Sequence, residues 1–218
     1  MRARVITTAV LSNDDNGICA LQTIGSATTM ALDGALVSGG VATMAEAQII
    51  TLDSVGNDAG ITFTVAGADA DGTTHSEAVT GGNATTAVTT VYFKTVTSIT
   101  TSGATADDVK VGPLAANGMV TKSVPMNWRQ SPFNMSLSAE ELVNGATTSA
   151  QYTVDAPQDT YTNSYSDDAN WRNVVGLNGL TATDDSNIAF PVRSVRGIIT
   201  TGTTTATWKF TFIQGQNG

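Results

Sequence analysis

The sequence predicts an all-β chain, folded as two consecutive antiparallel β-sandwich domains of jelly-roll or Ig-like type. Three observations lead there. Thirty-six of the 218 residues are threonine, which is stiff at χ1 and suits a pleated surface better than a helix. Short runs of alternating apolar and polar residues recur along the chain, separated by clusters of Gly, Asn and Asp. Near residue 113 the texture changes: Trp128, Trp171 and Trp208 all lie beyond it, with Tyr152, Tyr161 and Tyr165, while only Tyr92 precedes it.

In the first half, alternation places strands over 4–11, 18–24, 48–52, 61–65, 73–80, 87–93, 96–101 and 108–111. The first run carries Arg2 and Arg4 and is interrupted by Thr7 and Thr8. It reads as a strand, because an export signal has a longer and cleaner apolar core. Ser12-Asn13-Asp14-Asp15-Asn16-Gly17 and residues 53–60 are turn clusters. Asp71-Gly72 is a hairpin signal. Residues 31–47 hold Gly34, Gly39 and Gly40, which weaken a helix, so they read as loop with one short helical turn over 41–47.

The second half predicts strands over 120–125, 133–138, 149–155, 192–200 and 205–213. The last two are expected to form a hairpin through Thr201-Gly202-Thr203-Thr204. Between them and the earlier strands, the polar stretch 156–187 reads as a structured loop with short strands, since so long a featureless loop is uncommon in a compact domain. One segment carries conflicting signals. Ser138-Ala139-Glu140-Glu141 fits a helix capping box, yet Asn144-Gly145 follows almost at once. A helix that short is marginal on its own, which favours strand, turn, strand over 133–154. The expected domains are 1–113 and 114–218, carrying 4 basic against 11 acidic and 6 against 8 acidic side chains.

Composition narrows the function. A net charge of −9 disfavours nucleic acid, which is bound through clustered Lys and Arg. No run approaches 18 consecutive apolar residues, so no membrane-spanning helix is expected. Cys19 is the sole cysteine and has no partner for an intrachain disulfide; it reads as a small buried apolar residue.

Catalytic signals are weak. His75 is the sole histidine, set in an alternating stretch with no nucleophile elbow or metal-binding helix nearby. Asp69-Ala70-Asp71-Gly72 lacks the distal glutamate of a calcium loop. Asp107-Asp108, Asp167-Asp168 and Asp184-Asp185 read as turn acids. Glu46, Glu77, Glu140 and Glu141 qualify as glycosidase acids by type alone. The expectation is a non-enzyme without metal or cofactor. Aromatic and arginine side chains are the candidate contact residues: Arg2, Arg4, Trp128, Tyr161, Tyr165, Trp171, Arg193 and Arg196. Trp, Tyr and Arg are enriched at protein interfaces, and the aromatics would equally suit stacking on sugar rings, as in a carbohydrate-binding module. Arg193 and Arg196, three apart, face opposite sides of an ideal strand.

Two stretches carry a family resemblance. Residues 61–72 (ITFTVAGADADG), 76–83 (SEAVTGGN) and 92–99 (YFKTVTSI) together resemble a β-module of tailed-bacteriophage structural proteins. Residues 187–196 (NIAFPVRSVR) and 210–215 (FTFIQG) are similar to the C-terminal hairpin of small phage virion proteins. The resemblance implies a virion component assembled in the host cytoplasm. The preferred expectation is a decoration, or cement, protein on the capsid surface that binds the major capsid protein, as a homo-oligomer with a trimer preferred. A neck, adaptor or tail component is the alternative within the virion. The resemblance carries no catalytic residues.

Overall fold

Strands in this chain form where Val, Ile, Phe or Trp alternates with Thr and Ser, so that one face is apolar and the other stays hydrated without charge. Residues 2–9, 14–113, 118–155, 170–202 and 206–215 are described by the computed structural model. Eighteen strands and no helix are found among them. In chain order they are β1 (Arg2–Ala9), β2 (Cys19–Gln22), β3 (Val37–Ser38), β4 (Val41–Gln48), β5 (Ile50–Ser54), β6 (Thr62–Ala68), β7 (Thr74–Thr80), β8 (Thr86–Val88), β9 (Phe93–Thr101) and β10 (Val109–Pro113). There follow β11 (Met119–Val120), β12 (Val124–Pro125), β13 (Met135–Val143), β14 (Ala146–Thr153), β15 (Arg172–Asn173), β16 (Asp184–Ile188), β17 (Ser194–Gly202) and β18 (Thr207–Gln214). All pairings described below are antiparallel.

The chain divides into two units, Asn13–Ala115 and a discontinuous one made of Met1–Ser12 with Ala116–Gly218. Each is a β-sandwich. In the first, β2-β10-β5-β8 form one sheet, and β4, β9, β6 and β7 pair in that order in the other, with β3 beside β4. Ile18, Cys19, Leu52, Val109 and Val111 from one sheet side meet Met44, Phe63, Val65, Phe93 and Ile99 from the other in a single core. Alternation is clean in β6, where Phe63 and Val65 are buried and Thr62, Thr64 and Ala66 are half-exposed. Burial of each such side chain contributes about 1.5–3 kcal/mol.

In the second unit β1-β18-β13-β16 form one sheet. The other has β15 beside β14 and β14 beside β17, with β11 and β12 also pairing β17. Trp208, Phe210 and Phe212 of β18, with Leu137 and Ala139 of β13, pack against Ala150, Val195 and Ile199 of β14 and β17. The Phe210 ring lies against the backbone of β17: a Cβ added at Gly197 would stand 2.3 Å from it.

Three expectations change, and a fourth holds with a different pairing. β1 belongs with the second unit and not with 13–113, because its full length pairs with β18, from Arg2↔Gln214 to Ala9↔Thr207. That pairing spans nearly the whole sequence and leaves no local trace. The proposed turn of helix over 41–47 is β4, whose Ala42 and Met44 face the core. β17 and β18 are not a hairpin; they lie in opposite sheets, since β18 is flanked by β1 and β13. Residues 133–154 do read strand, turn, strand, but β13 and β14 also belong to opposite sheets. The Asn144-Gly145 turn, with Gly145 at φ 127°, therefore crosses the sandwich. The Asp-Gly hairpin is found as expected: β6 and β7 pair from Thr62↔Thr80 to Ala68↔Thr74 around Gly72 at φ 88°.

Candidate protein-docking surface

Three of the residues with catalytic potential, Asp69, His75 and Glu77, are occupied in building loops. Asp69, 1% exposed, accepts backbone N–H bonds from Asp71 and Thr73 at 2.8 and 2.9 Å, and its second oxygen meets His75 Nε2 at 3.0 Å. That set closes the β6–β7 turn. The Glu77 carboxylate accepts from the backbone N–H groups of Thr90 and Val91 and from the Thr90 hydroxyl. It pins the loop between β8 and β9. Glu140 pairs with Lys209 across β13 and β18. Glu141 is cross-strand from Trp208 in the same pair of strands. Burial pushes the Cys19 thiol up to about 12, with Asp33 adding to the shift, so it stays protonated and unreactive. Among the described residues, no group of three or more His, Cys, Asp or Glu is placed to hold a metal ion.

Charge is divided unevenly between the units. Residues 13–115 hold 2 basic and 11 acidic side chains, and the remainder holds 8 of each, so the whole net charge of −9 falls on the first unit. Its two lysines are engaged there: Lys110 bonds Asp15 at 2.6 Å and Asp53 at 3.3 Å, and Lys94 donates to the Ala45 carbonyl. The hydrogen bonds to Asp15, then Asp53, raise the Lys110 pKa. In the second unit, Arg4, Lys122, Arg129 and Arg193 have no carboxylate partner among the described residues.

Three of those cations, Arg4, Arg129 and Arg193, meet at one segment, and Lys122 shares the adjoining groove with Arg4. Residues 126–130 link β12 to the strand that follows, and they are fixed by hydrogen bonds. Met126 N–H donates to the Arg193 carbonyl at 2.8 Å. Asn127 N–H donates to Gln214 Oε1, and Gln214 Nε2 returns a bond to the Asn127 carbonyl, both at 2.9 Å. This segment presents Trp128, 37% exposed, with the Arg193 guanidinium 4.2 Å and the Arg129 guanidinium 4.9 Å from its ring centre. A guanidinium over an indole is held by the ring quadrupole and dispersion, and its N–H fork stays available.

Arg4 ties this segment to the sheet edge. It lines a cleft of about 190 Å³ with Met126, Asn127, Gln130 and Gln214. It also lines a groove of about 390 Å³ whose walls are Arg4, Val5 and Ile6 of β1 and residues 122–125.

Of the sequence-predicted contact residues, Arg4, Trp128 and Arg193 thus fall in one area. Arg2 enters it through its backbone pairing with Gln214. Arg196 and Trp171 form a separate pair. The Arg196 guanidinium is 4.2 Å from the Trp171 ring centre and donates to Gln151 Oε1 at 3.0 Å, and Arg196 is only 6% exposed. That pair fastens the start of residues 170–180 onto β14 and β17, with Arg196 buried and Trp171 half-exposed. Tyr161 and Tyr165 lie outside the described residues. Sequence reading missed Lys122, Arg129, Asn127 and Gln214. The adjacent Trp128-Arg129 pair was a usable signal; the return bond from Gln214, 87 residues away, was not.

No family model matches this chain. No curated protein matches it either. A solved structure it is similar to is the N-terminal CBM22-1-CBM22-2 tandem domain of Xyn10C from Paenibacillus barcinonensis, at 10% identity and a TM-score of 0.26, over 96% of this chain and 97% of that one. A superposition this loose assigns neither a ligand nor a binding site.

Proposed function

We propose that this chain is a non-enzymatic virion structural protein, a capsid decoration protein that binds and stabilises the major capsid protein lattice. The observation that carries the reading is a set of four exposed or half-exposed cations without carboxylates in a chain of net charge −9: Arg129 and Arg193 stacked on Trp128, and Arg4 and Lys122 along the groove beside β1. Cations held apart from the chain's own abundant acids suit an acidic protein partner. The sequence resemblance to tailed-phage structural proteins supplies the setting, and the engagement of His75, Asp69 and Glu77 in turns supports a role without chemistry.

Such a protein acts by mass action. A binder selective for the assembled lattice stabilises it by its binding free energy at every site. Assembly into a trimer would add avidity by making the second and third contacts intramolecular. A neck, adaptor or tail position is the alternative within the virion, separated by copy number per particle.

A carbohydrate-binding module is the reading of another class, favoured by the exposure of Trp128. The guanidiniums already stacked on that ring weigh against it.

Particles assembled without this chain test the proposal. They should form normally, release their contents at lower temperature, and regain heat resistance when the purified protein is added back. Particles that ignore the added protein would refute the role.

A further inference from the structure

We infer that the outer edge of β1 receives an extended, acidic segment of a partner protein as an added β-strand. β1 runs eight residues in unbroken register with β18 on one side. On its other side no strand pairs with it among the described residues. A long, regular edge presents a row of backbone donors and acceptors that templates another strand. Natural edges are commonly blunted by bulges, proline or a short strand, and β1 has none of these.

The side chains at this edge select the occupant. Arg4 and Lys122 flank the groove beside β1, and Val5, Ile6, Val124 and Pro125 supply apolar walls between them. Val5 is 55% exposed there. A second copy of the chain pairing edge to edge would bring one set of cations against another, which is unfavourable. An edge guarded in this way rejects itself and accepts a strand bearing carboxylates. The backbone row and the apolar walls match a polypeptide better than a sugar–phosphate chain, whose recognition rests on denser Lys and Arg contacts.

The inference rests on the proposed docking role and names how the partner would bind. The test uses the full chain and a ten-residue peptide of alternating Asp and Val. Binding should slow amide hydrogen exchange within residues 2–9, weaken at least tenfold in the Arg4→Glu/Lys122→Glu variant, and fail with the matching Lys/Val peptide. Both replaced side chains are exposed, so the fold is retained.

Four results would overturn the inference: no protection of β1, equal binding by the same peptide N-methylated along its backbone, tighter binding of a ten-nucleotide oligothymidylate, or self-association through β1. The particle experiment is independent. If the chain stabilises particles but ignores the peptide, the edge-strand inference fails alone. If it takes the peptide but ignores particles, the decoration role fails alone.

Discussion

The guanidinium of Arg193 lies 4.2 Å from the centre of the Trp128 ring, and no described carboxylate pairs with it. In a chain carrying 19 acidic residues against 10 basic ones, an arginine held there without a carboxylate is the contact on which the proposed docking role draws. The same ring holds Arg129, and the backbone beneath it is locked to Gln214.

Replacing Trp128 by alanine should separate docking from folding. A cation–π contact at an exposed site contributes about 0.5–1 kcal/mol, so the denaturation midpoint should move little. Partner binding should fall at least tenfold, because both guanidiniums lose their platform. Equal binding by the variant, measured by co-sedimentation with particles, would remove Trp128 from the contact surface.

Gly197→Ala tests the packing of the second unit. The added methyl meets Phe210, which is fully buried and has no room to retreat. Overpacking of this kind costs about 1–3 kcal/mol. Urea denaturation should show the loss, while Gly25→Ala, with open space at its Cβ, should leave stability nearly unchanged.

Asp69→Ala should destabilise the β6–β7 turn by about 1–3 kcal/mol, since two backbone N–H groups and His75 lose their acceptor. Hydrogen exchange should quicken around residues 69–75. His75→Ala should cost less, because the two backbone bonds to Asp69 survive. A larger effect from His75 than from Asp69 would contradict this division of roles.

Cys19 sets a pH dependence at the alkaline end. Its folded pKa of about 12 lies above the reference value of 9.0. The unfolded chain therefore loses the thiol proton first, and stability falls as pH rises from about 9 to about 12. In Cys19→Ala the pH slope over that window should flatten, whatever the offset in absolute stability. Alkylation of the folded wild type should be slow at pH 8 and become fast in denaturant.

Strand content was legible because it is written locally, in alternation such as that of Phe63 and Val65 against Thr62, Thr64 and Ala66. The β6–β7 hairpin was legible for the same reason, from Asp71-Gly72. Asn144-Gly145 correctly marked a turn between two strands, but the hairpin expected through 201–204 did not form, because a turn signal says nothing of which sheet receives the chain. The placement of β1 depended on β18, at the far end of the sequence. At the candidate site, residue type alone marked Trp128 and Arg193. What side-chain type could not show was that Arg196 is buried against Trp171, or that Lys122, Arg129 and Gln214 complete the outward face.

Removing residues 1–8 is a poor probe of docking, because β1 covers β18 and its loss would disturb the sheet. Charge reversal on the surface is cleaner. The most direct measurement is the occupancy of particles stripped of this chain, compared between wild type and a variant with Arg4, Lys122, Arg129 and Arg193 all changed to glutamate. The account predicts saturable binding by the wild type, weakened by salt, and none by the variant. Equal occupancy by both proteins would contradict it.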